Sequence, residues 1–201
     1  MRRIALTGGI ATGKSHVRAL FEGLGVPTID SDVLAHGAVA PGTAGLAAVV
    51  DRFSCDVLSG DGSLDRRKLA AVVFADPDAR KALEAIVHPE VRRATDAWFV
   101  ALNAHIHPYA IADIPLLYEV GRDRDFDAVI VVACDPETQV RRVMERDGIS
   151  ESDARRRLAA QLPIDEKVRR ADYVIRTEGS LEDTNREVRD VYARLSGRAT
   201  G

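Results

Sequence analysis

A glycine-rich loop near the start of the chain restricts the possible folds more than any other sequence feature. A short apolar run, Ile4 to Thr7, leads into the pattern G-x-x-x-x-G-K-S, which occupies residues 8–15. Apolar residues at helical spacing follow it, namely Val17, Leu20, Phe21 and Leu24. A strand, this loop and a helix in that order define the P-loop of nucleotide-binding α/β proteins, and a chance glycine-rich turn lacks such flanks.

The residue types of the loop predict a nucleoside triphosphate as its ligand. Glycine at Gly8 and Gly13 allows backbone angles and close approaches that a Cβ atom would prevent. Successive N–H groups of such a loop and of the following helix bind phosphate oxygens. Lys14 is expected to neutralise the β- and γ-phosphates, and the Ser15 hydroxyl to bind Mg²⁺. The predicted nucleotide-binding residues are Gly8, Gly9, Ile10, Ala11, Thr12, Gly13, Lys14, Ser15 and His16.

Four further apolar segments predict the remaining strands of an α/β fold. They are short and lie at residues 26–30, 109–119, 127–135 and 171–177. The third of them is continuously apolar, which is typical of a central strand in a parallel sheet. Because these strands alternate with helical segments, we predict a P-loop NTPase core in which helices flank a parallel sheet.

Two helical insertions are expected to interrupt this core. Residues 40–107 are alanine-rich and helix-periodic, whereas residues 141–169 are helical and rich in arginine. The second insertion fits a lid over phosphates, although a run of charges is more often a solvated helix face. We therefore predict a single domain whose core comprises residues 1–39, 108–140 and 170–201.

Composition and charge argue against several other classes of protein. The net charge of −3 and the aromatic content of 5% favour neither a basic surface nor a stacking platform for nucleic acid. Cys55 and Cys134 form no CxxC motif, and no run of about 18 apolar residues predicts a membrane span. Because no signal-peptide pattern opens the chain, we expect a cytoplasmic protein without membrane, nucleic-acid or obligatory protein partners.

Among small P-loop proteins, the sequence favours a phosphotransferase over a switch GTPase. A GTPase would normally carry an N-K-x-D guanine motif and a D-x-x-G switch, and neither string occurs in the chain. A nucleotide-binding regulatory module is a third class, and it would need no carboxylate beside the loop.

Carboxylates do follow the predicted strands, at the edge where an open parallel sheet binds ligands. Asp30 and Asp32 follow the second strand, where an acid can accept the proton of a hydroxyl as the phosphoryl group leaves ATP. Either aspartate could instead cap the next helix, an alternative that is weaker for Asp32. Asp113 ends another strand, where it could hold Mg²⁺ through water or simply occupy the turn before Pro115.

The arginine-rich segment supplies candidates for contact with phosphates. Asp135 ends the strand predicted at 127–135, and Arg142 follows it by about two helical turns. We therefore expect Arg142 to reach the transferred phosphoryl group. The arginines at 155–157 are contiguous and cannot share one helix face. Arg157 is the one that we predict to contact substrate.

Six segments in this order resemble the dephospho-CoA kinase family. They are LTGGIATGKS, IDSDVLAH, HPEV, DIPLLYE, PETQVRRVMERDG, and ADYVI followed by GS, and they span almost the whole chain. The resemblance implies phosphorylation of the ribose 3′-hydroxyl of dephospho-CoA by ATP, the last step of coenzyme A synthesis. It also implies that the first insertion binds the acceptor and that the second is a lid. The alternative is another P-loop kinase, acting on a small molecule or a nucleoside monophosphate.

The resemblance also assigns roles to single residues. Asp32 matches the proposed base, so the predicted catalytic residues are Asp32, Lys14 and Arg142. Arg146 joins Arg142 as an arginine that approaches the phosphates of ATP. The acceptor side is matched by His88, Pro115, Leu116 and Leu117. Without the resemblance, His88 and the proline after it would favour a helix boundary that the histidine caps.

The chain departs from the family pattern at three places. Ala11-Thr12 stands where members usually have glycine and serine, and His16 stands where they often have threonine. Arg176-Thr177-Glu178 replaces a segment that often contains asparagine near the adenine. Adenine selectivity is therefore expected to be looser, or to come from backbone groups.

Overall fold

The computed structural model describes residues 1–197, which divide into two compact units. The core unit comprises residues 1–29 and 102–197, and the helical unit comprises residues 30–101. The end of the predicted core, residues 198–201, lies outside the described residues. No helix within residues 1–197 has the length and apolar character that a membrane span requires.

The strands agree with those predicted from the sequence. They are β1 (Arg2–Gly8), β2 (Thr28–Asp30), β3 (Tyr109–Asp113), β4 (Ala128–Ala133) and β5 (Tyr173–Arg176). The helices are α1 (Lys14–Gly23), α2 (Ser31–Ala38), α3 (Ala44–Phe53), α4 (Arg66–Ala75), α5 (Pro77–Ala101), α6 (Pro136–Asp147), α7 (Glu151–Ala159), α8 (Ile164–Arg169) and α9 (Leu181–Leu195). Within the segment 109–119, strand β3 ends at Asp113, just before Pro115, which has no N–H to continue the ladder.

The sheet brings the carboxyl ends of three strands together. Its order is β2-β3-β1-β4-β5, and β1 runs parallel to both β3 and β4. Leu6 is in register with Asp113, and Gly8 with Val132, so the P-loop leaves the sheet beside the ends of β3 and β4. The predicted P-loop fold, a parallel sheet flanked by helices, is therefore confirmed.

Helices α1 and α9 cover this sheet with apolar side chains. Val17 and Phe21 of α1 are fully buried, and they join one cluster with residues of β1, β3 and β4. Val188 and Val191 of α9 belong to the same cluster. Every residue of β3 and β4 is buried, as expected for central strands covered on both faces. This packing fixes where the P-loop begins and where α1 starts.

The helical unit begins earlier in the chain than the predicted insertion at 40–107. Asp30 accepts a hydrogen bond from the N–H of Asp32 at 2.8 Å and thereby caps α2. Helix α2 then packs on α5, which makes it part of the helical unit. The core of this unit contains Val39, Val49, Val57 and Leu69. The helical unit begins at residue 30 instead of residue 40, because the chain is already helical in the first turn after β2.

Candidate active site

Gly8 and Gly13 shape the P-loop as the sequence predicts. A Cβ atom on Gly8 would lie 2.6 Å from the carbonyl oxygen of Val132 and 2.7 Å from the Thr12 hydroxyl. Gly13 has a φ of 83° and occupies the N-cap position of α1. The loop thus needs glycine for space at its start and for a left-handed conformation at its end.

Ala11 also has a left-handed backbone, with a φ of 58°. This conformation costs an L-residue about 1–2 kcal/mol, whereas glycine adopts it freely. We expect Ala11→Gly to raise the free energy of unfolding by about 1 kcal/mol and the unfolding midpoint by about 2–4 °C. Thermal unfolding followed by circular dichroism measures this, with Ala19→Gly inside α1 as the control that should lower the midpoint. An unchanged or lower midpoint in Ala11→Gly would contradict it.

Asp113 lies beside the P-loop and is paired with its lysine. The carboxylate is 1% exposed, and the Nζ of Lys14 donates a hydrogen bond to its Oδ1. The Nη1 of Arg18 lies 3.5 Å from Oδ2. A buried carboxylate requires such cationic partners, because burying a charge alone is costly. Of the two interpretations of Asp113, the contacts favour an acid of the phosphate site over a simple turn residue.

The residues predicted to hold Mg²⁺ offer oxygen ligands of the right kind. Ser15 is exposed at the second position of α1, and Asp113 lies at the end of β3 beside Lys14. Within residues 1–197, no three histidine, cysteine or acidic side chains are grouped to hold a metal by themselves. Mg²⁺ needs few protein ligands, since it keeps several waters and binds the phosphates of its substrate. The residues present therefore fit this ion.

Arg142 contacts the P-loop and the turn that follows β5. Its Nη2 donates to the carbonyl of Thr177 at 2.6 Å, and its Nη1 donates to the Thr177 hydroxyl at 3.1 Å and to the Ala11 carbonyl at 3.4 Å. The Thr177 hydroxyl in turn donates to the carbonyl of Thr12 at 2.8 Å. The guanidinium of Arg142 therefore ties two loops together. Its predicted contact with the transferred phosphoryl group stays a prediction.

The other predicted arginines of the lid segment are paired with acids. Arg146 donates to both carboxylate oxygens of Asp147, at 2.7 and 3.0 Å, and Arg157 donates to the same carboxylate. The hydrogen bond from Arg146 lowers the pKa of Asp147, which keeps this acid ionised. Arg155 bridges to Glu137 at 3.0 and 2.8 Å. Arg146 and Arg157 therefore share the carboxylate of Asp147 as their partner. Their contact with substrate also stays a prediction.

The two aspartates that follow β2 have different surroundings. Asp30 is the N-cap of α2, so Asp30 is the one of the two aspartates that caps the next helix. Asp32 lies in the first turn of α2, and its side chain is exposed to solvent. Asp32 can therefore meet a ligand without breaking the cap, whereas Asp30 cannot. The role of Asp32 as the base stays a prediction.

His88 lies inside a helix, so the interpretation of His88 as a helix cap is wrong. Helix α5 continues through Pro89, and His88 is exposed in its interior. Apolar residues before and after the proline explain this continuity. Ile86 and Val87 pack on the core of the helical unit, and Val91 is buried. Burial along the helix outweighs the hydrogen bond that the proline removes.

The segment predicted to line the acceptor cleft has mixed exposure. Leu116 is 42% exposed, whereas Leu117 is fully buried. The Pro115 carbonyl accepts a hydrogen bond from the Thr7 hydroxyl at 3.1 Å. Leu116 is therefore the member whose side chain can touch an acceptor, while Leu117 anchors the segment in the protein interior.

Two glutamines hold the P-loop, and the sequence analysis missed them. The Nε2 of Gln139 donates to the Ile10 carbonyl at 2.7 Å, and the Oε1 of Gln161 accepts from the Ile10 N–H at 2.9 Å. Gln139 is only 4% exposed. Its spacing of four residues from Val143, which puts both on one face of α6, was the available signal, since an uncharged amide on an apolar face needs a partner.

Comparison with known proteins identifies the family. A family model described as dephospho-CoA kinase matches residues 2–183. The chain belongs to the dephospho-CoA kinase family. It is similar to a dephospho-CoA kinase of Anaeromyxobacter dehalogenans, at 52% identity over 90% of this chain and 86% of the relative. It is also similar to one of Geobacter sulfurreducens, at 45% identity over 96% of this chain and 98% of the relative.

Solved structures agree with this family assignment. A protein from Thermus thermophilus matches with a TM-score of 0.81 and 41% identity, covering 100% of this chain and 98% of that one. The dephospho-CoA kinase of Campylobacter jejuni matches with a TM-score of 0.75 and 29% identity, covering 97% of both chains. Family membership makes the chain an ATP-dependent kinase that phosphorylates dephospho-CoA in coenzyme A biosynthesis.

Proposed function

We propose that Lys14, Ser15 and Asp113 form the phosphate side of this reaction and that Asp32 is its general base. One observation carries the proposal, the pairing of the P-loop lysine with the buried Asp113 at the carboxyl edge of the sheet. Phosphoryl transfer depends mainly on positioning and on neutralising charge, with a base for the attacking hydroxyl. A cation, an acid and backbone N–H groups in one loop supply the first two requirements.

The donor is ATP, and we assign its contacts to the loop. Residues 8–16 cradle the phosphates through backbone N–H groups, and Lys14 leaves Asp113 to neutralise the transferred group. The Ser15 hydroxyl, and Asp113 through water, would hold Mg²⁺. When bound, this ion would neutralise negative charge on the β- and γ-phosphates. A triphosphate that attracts Lys14 draws this lysine away from the carboxylate of Asp113, which then takes on this second task.

The acceptor presents its ribose 3′-hydroxyl to Asp32, which removes the proton as the new P–O bond forms. The exposed carboxylate of Asp32, held at the start of a capped helix, supports this role. The other residues proposed to contact the acceptor are His88, Pro115, Leu116, Leu117 and Arg157. Arg142 and Arg146 are proposed to contact the phosphates of ATP after they leave their present partners.

A panel of acceptors tests the proposed reaction against the alternative kinases. Release of ADP is measured with dephospho-CoA, AMP, CMP and shikimate, each in the presence of ATP and Mg²⁺. We expect turnover with dephospho-CoA alone, and phosphorus NMR of the product should show a 3′-phosphomonoester. Preferred turnover of AMP, CMP or shikimate would instead establish another kinase of the same fold. Repeating the assay with Mg²⁺ removed by a chelator tests the metal, and undiminished activity would exclude it.

Arg142→Lys tests the arginine that joins the P-loop to Thr177. Lysine keeps the charge but cannot donate to Thr177 and Ala11 at once, because it lacks the planar fork of arginine. We expect kcat/KM for ATP to fall about tenfold, since hydrogen bonds to charged groups contribute at least about 1.5 kcal/mol. Arg141→Lys, at the exposed neighbour that pairs with Glu145, is the control and should change little. Equal effects in both variants would mean that only the general charge of α6 matters.

A further inference from the structure

Lys167 of α8 is a lysine without any exposed surface. Lysine is almost never fully buried unless it is paired. Its Nζ lies 2.8 Å from the Oε1 of Glu119, 3.1 Å from the carbonyl oxygen of Gly8 and 3.2 Å from that of Pro115. An ammonium group has three N–H donors, and each of them meets one of these oxygens. No sequence pattern indicates this burial, because Lys167 lies in a charged segment that looks like a solvated helix.

The two carbonyls belong to the two segments that build the phosphate site. Gly8 is the last residue of β1 and the first of the P-loop, and Pro115 lies just beyond Asp113. Gly8 is also confined by the Val132 carbonyl, which leaves no room for a Cβ atom. A cation that binds both carbonyls therefore holds the start of the P-loop at a set distance from the turn that carries Asp113.

Glu119 completes the arrangement from the other side. Its Oε1 accepts a hydrogen bond from the Leu162 N–H at 3.0 Å as well as contacting Lys167. The neighbouring Gln161 accepts from the Ile10 N–H. Residues 161–167 thus hold the P-loop at two of its first three positions, Gly8 and Ile10. Only Lys167 does so with a buried charge.

We infer that Lys167 is a positioning residue for phosphoryl transfer. Its ammonium orients the first peptide of the P-loop and the turn after β3, so that Lys14 and Asp113 face the phosphates in the required geometry. It does not touch ATP itself, because its side chain has no exposed surface. The inference rests on the assignment of residues 8–16 to ATP made above, and it concerns the donor side of the reaction alone.

Lys167→Met tests the inference, since methionine has similar length but none of the three donors. We expect the KM for ATP to rise and kcat to fall, each at least tenfold, while the KM for dephospho-CoA stays within twofold. The dissociation constant of a non-hydrolysable ATP analogue, measured by calorimetry, should rise in parallel. Lys68→Met is the matched control, because the exposed Lys68 lies in the helical unit and contacts the Leu58 carbonyl there. It should leave all these constants unchanged.

A lower melting temperature with unchanged KM and kcat for the folded Lys167→Met protein would mean a merely structural role and would overturn the inference. Should this variant fail to fold, Glu119→Gln decides, since it keeps an oxygen for Leu162 but removes the negative charge beside Lys167. A rise in the analogue's dissociation constant would support the inference, and an unchanged value would overturn it. The analogue binds without an acceptor, so a wild-type protein that binds it but does not phosphorylate dephospho-CoA would refute only the proposed reaction.

Discussion

Asp32→Asn is expected to lower kcat by about 10²–10⁴-fold, which is the usual contribution of a general base. Asparagine has nearly the same size as aspartate and can donate and accept hydrogen bonds, but it cannot take the proton of the ribose hydroxyl. The side chain of Asp32 is exposed in the first turn of α2, so the substitution should leave the fold intact. The KM for dephospho-CoA should change much less than kcat. Steady-state kinetics with dephospho-CoA and ATP measure both.

Asp30→Asn is the matched control for this prediction. Asp30 caps α2 by accepting from the Asp32 N–H, and asparagine caps a helix about as well as aspartate. We therefore expect its activity and melting temperature to stay close to those of the unchanged protein. If Asp30→Asn were the more damaging of the two, the base would be Asp30, and the assignment of Asp32 would have to be abandoned.

Local patterns explain why the core could be predicted from the sequence. The P-loop is encoded by its own glycines, and the structure places Gly8 where a Cβ atom would clash and Gly13 in a left-handed conformation that glycine adopts freely. Strand β4 is a continuous apolar run because it is covered on both faces. In these elements, the physical requirement and the residues that meet it lie within a few positions of each other.

Contacts between distant segments explain what the sequence could not reveal. The partners of Lys167 lie 48 to 159 positions away along the chain, as far as Gly8. Arg142 reaches Thr177, 35 positions further on. No spacing rule connects such residues, so a buried lysine and a solvated one look alike in the sequence. The alternative interpretation of His88 as a helix cap fails for a similar reason, because the burial of residues on both sides of Pro89 sustains α5.

Lys14→Ala is expected to lower kcat by at least about 10²–10³-fold, because it removes a charge that stabilises the transition state. The pairing with Asp113 adds a second consequence. Asp113 is 1% exposed, and without Lys14 it still has Arg18 nearby, whose Nη1 lies 3.5 Å from its Oδ2. Losing the partner of a buried group costs about 1–3 kcal/mol, so the melting temperature should fall as well. Activity and stability therefore have to be separated.

The double variant Lys14→Ala/Asp113→Asn separates them. A neutral amide at position 113 needs no cation, so much of the lost stability should return, and thermal unfolding measures this recovery. Activity should not return, because the charge that acts on the phosphates is still missing. Recovery of turnover in the double variant would mean that Lys14 serves only to neutralise Asp113. Near-normal turnover in a well-folded Lys14→Ala protein would go further, because residues 8–15 could then not be the site from which ATP gives up its phosphoryl group.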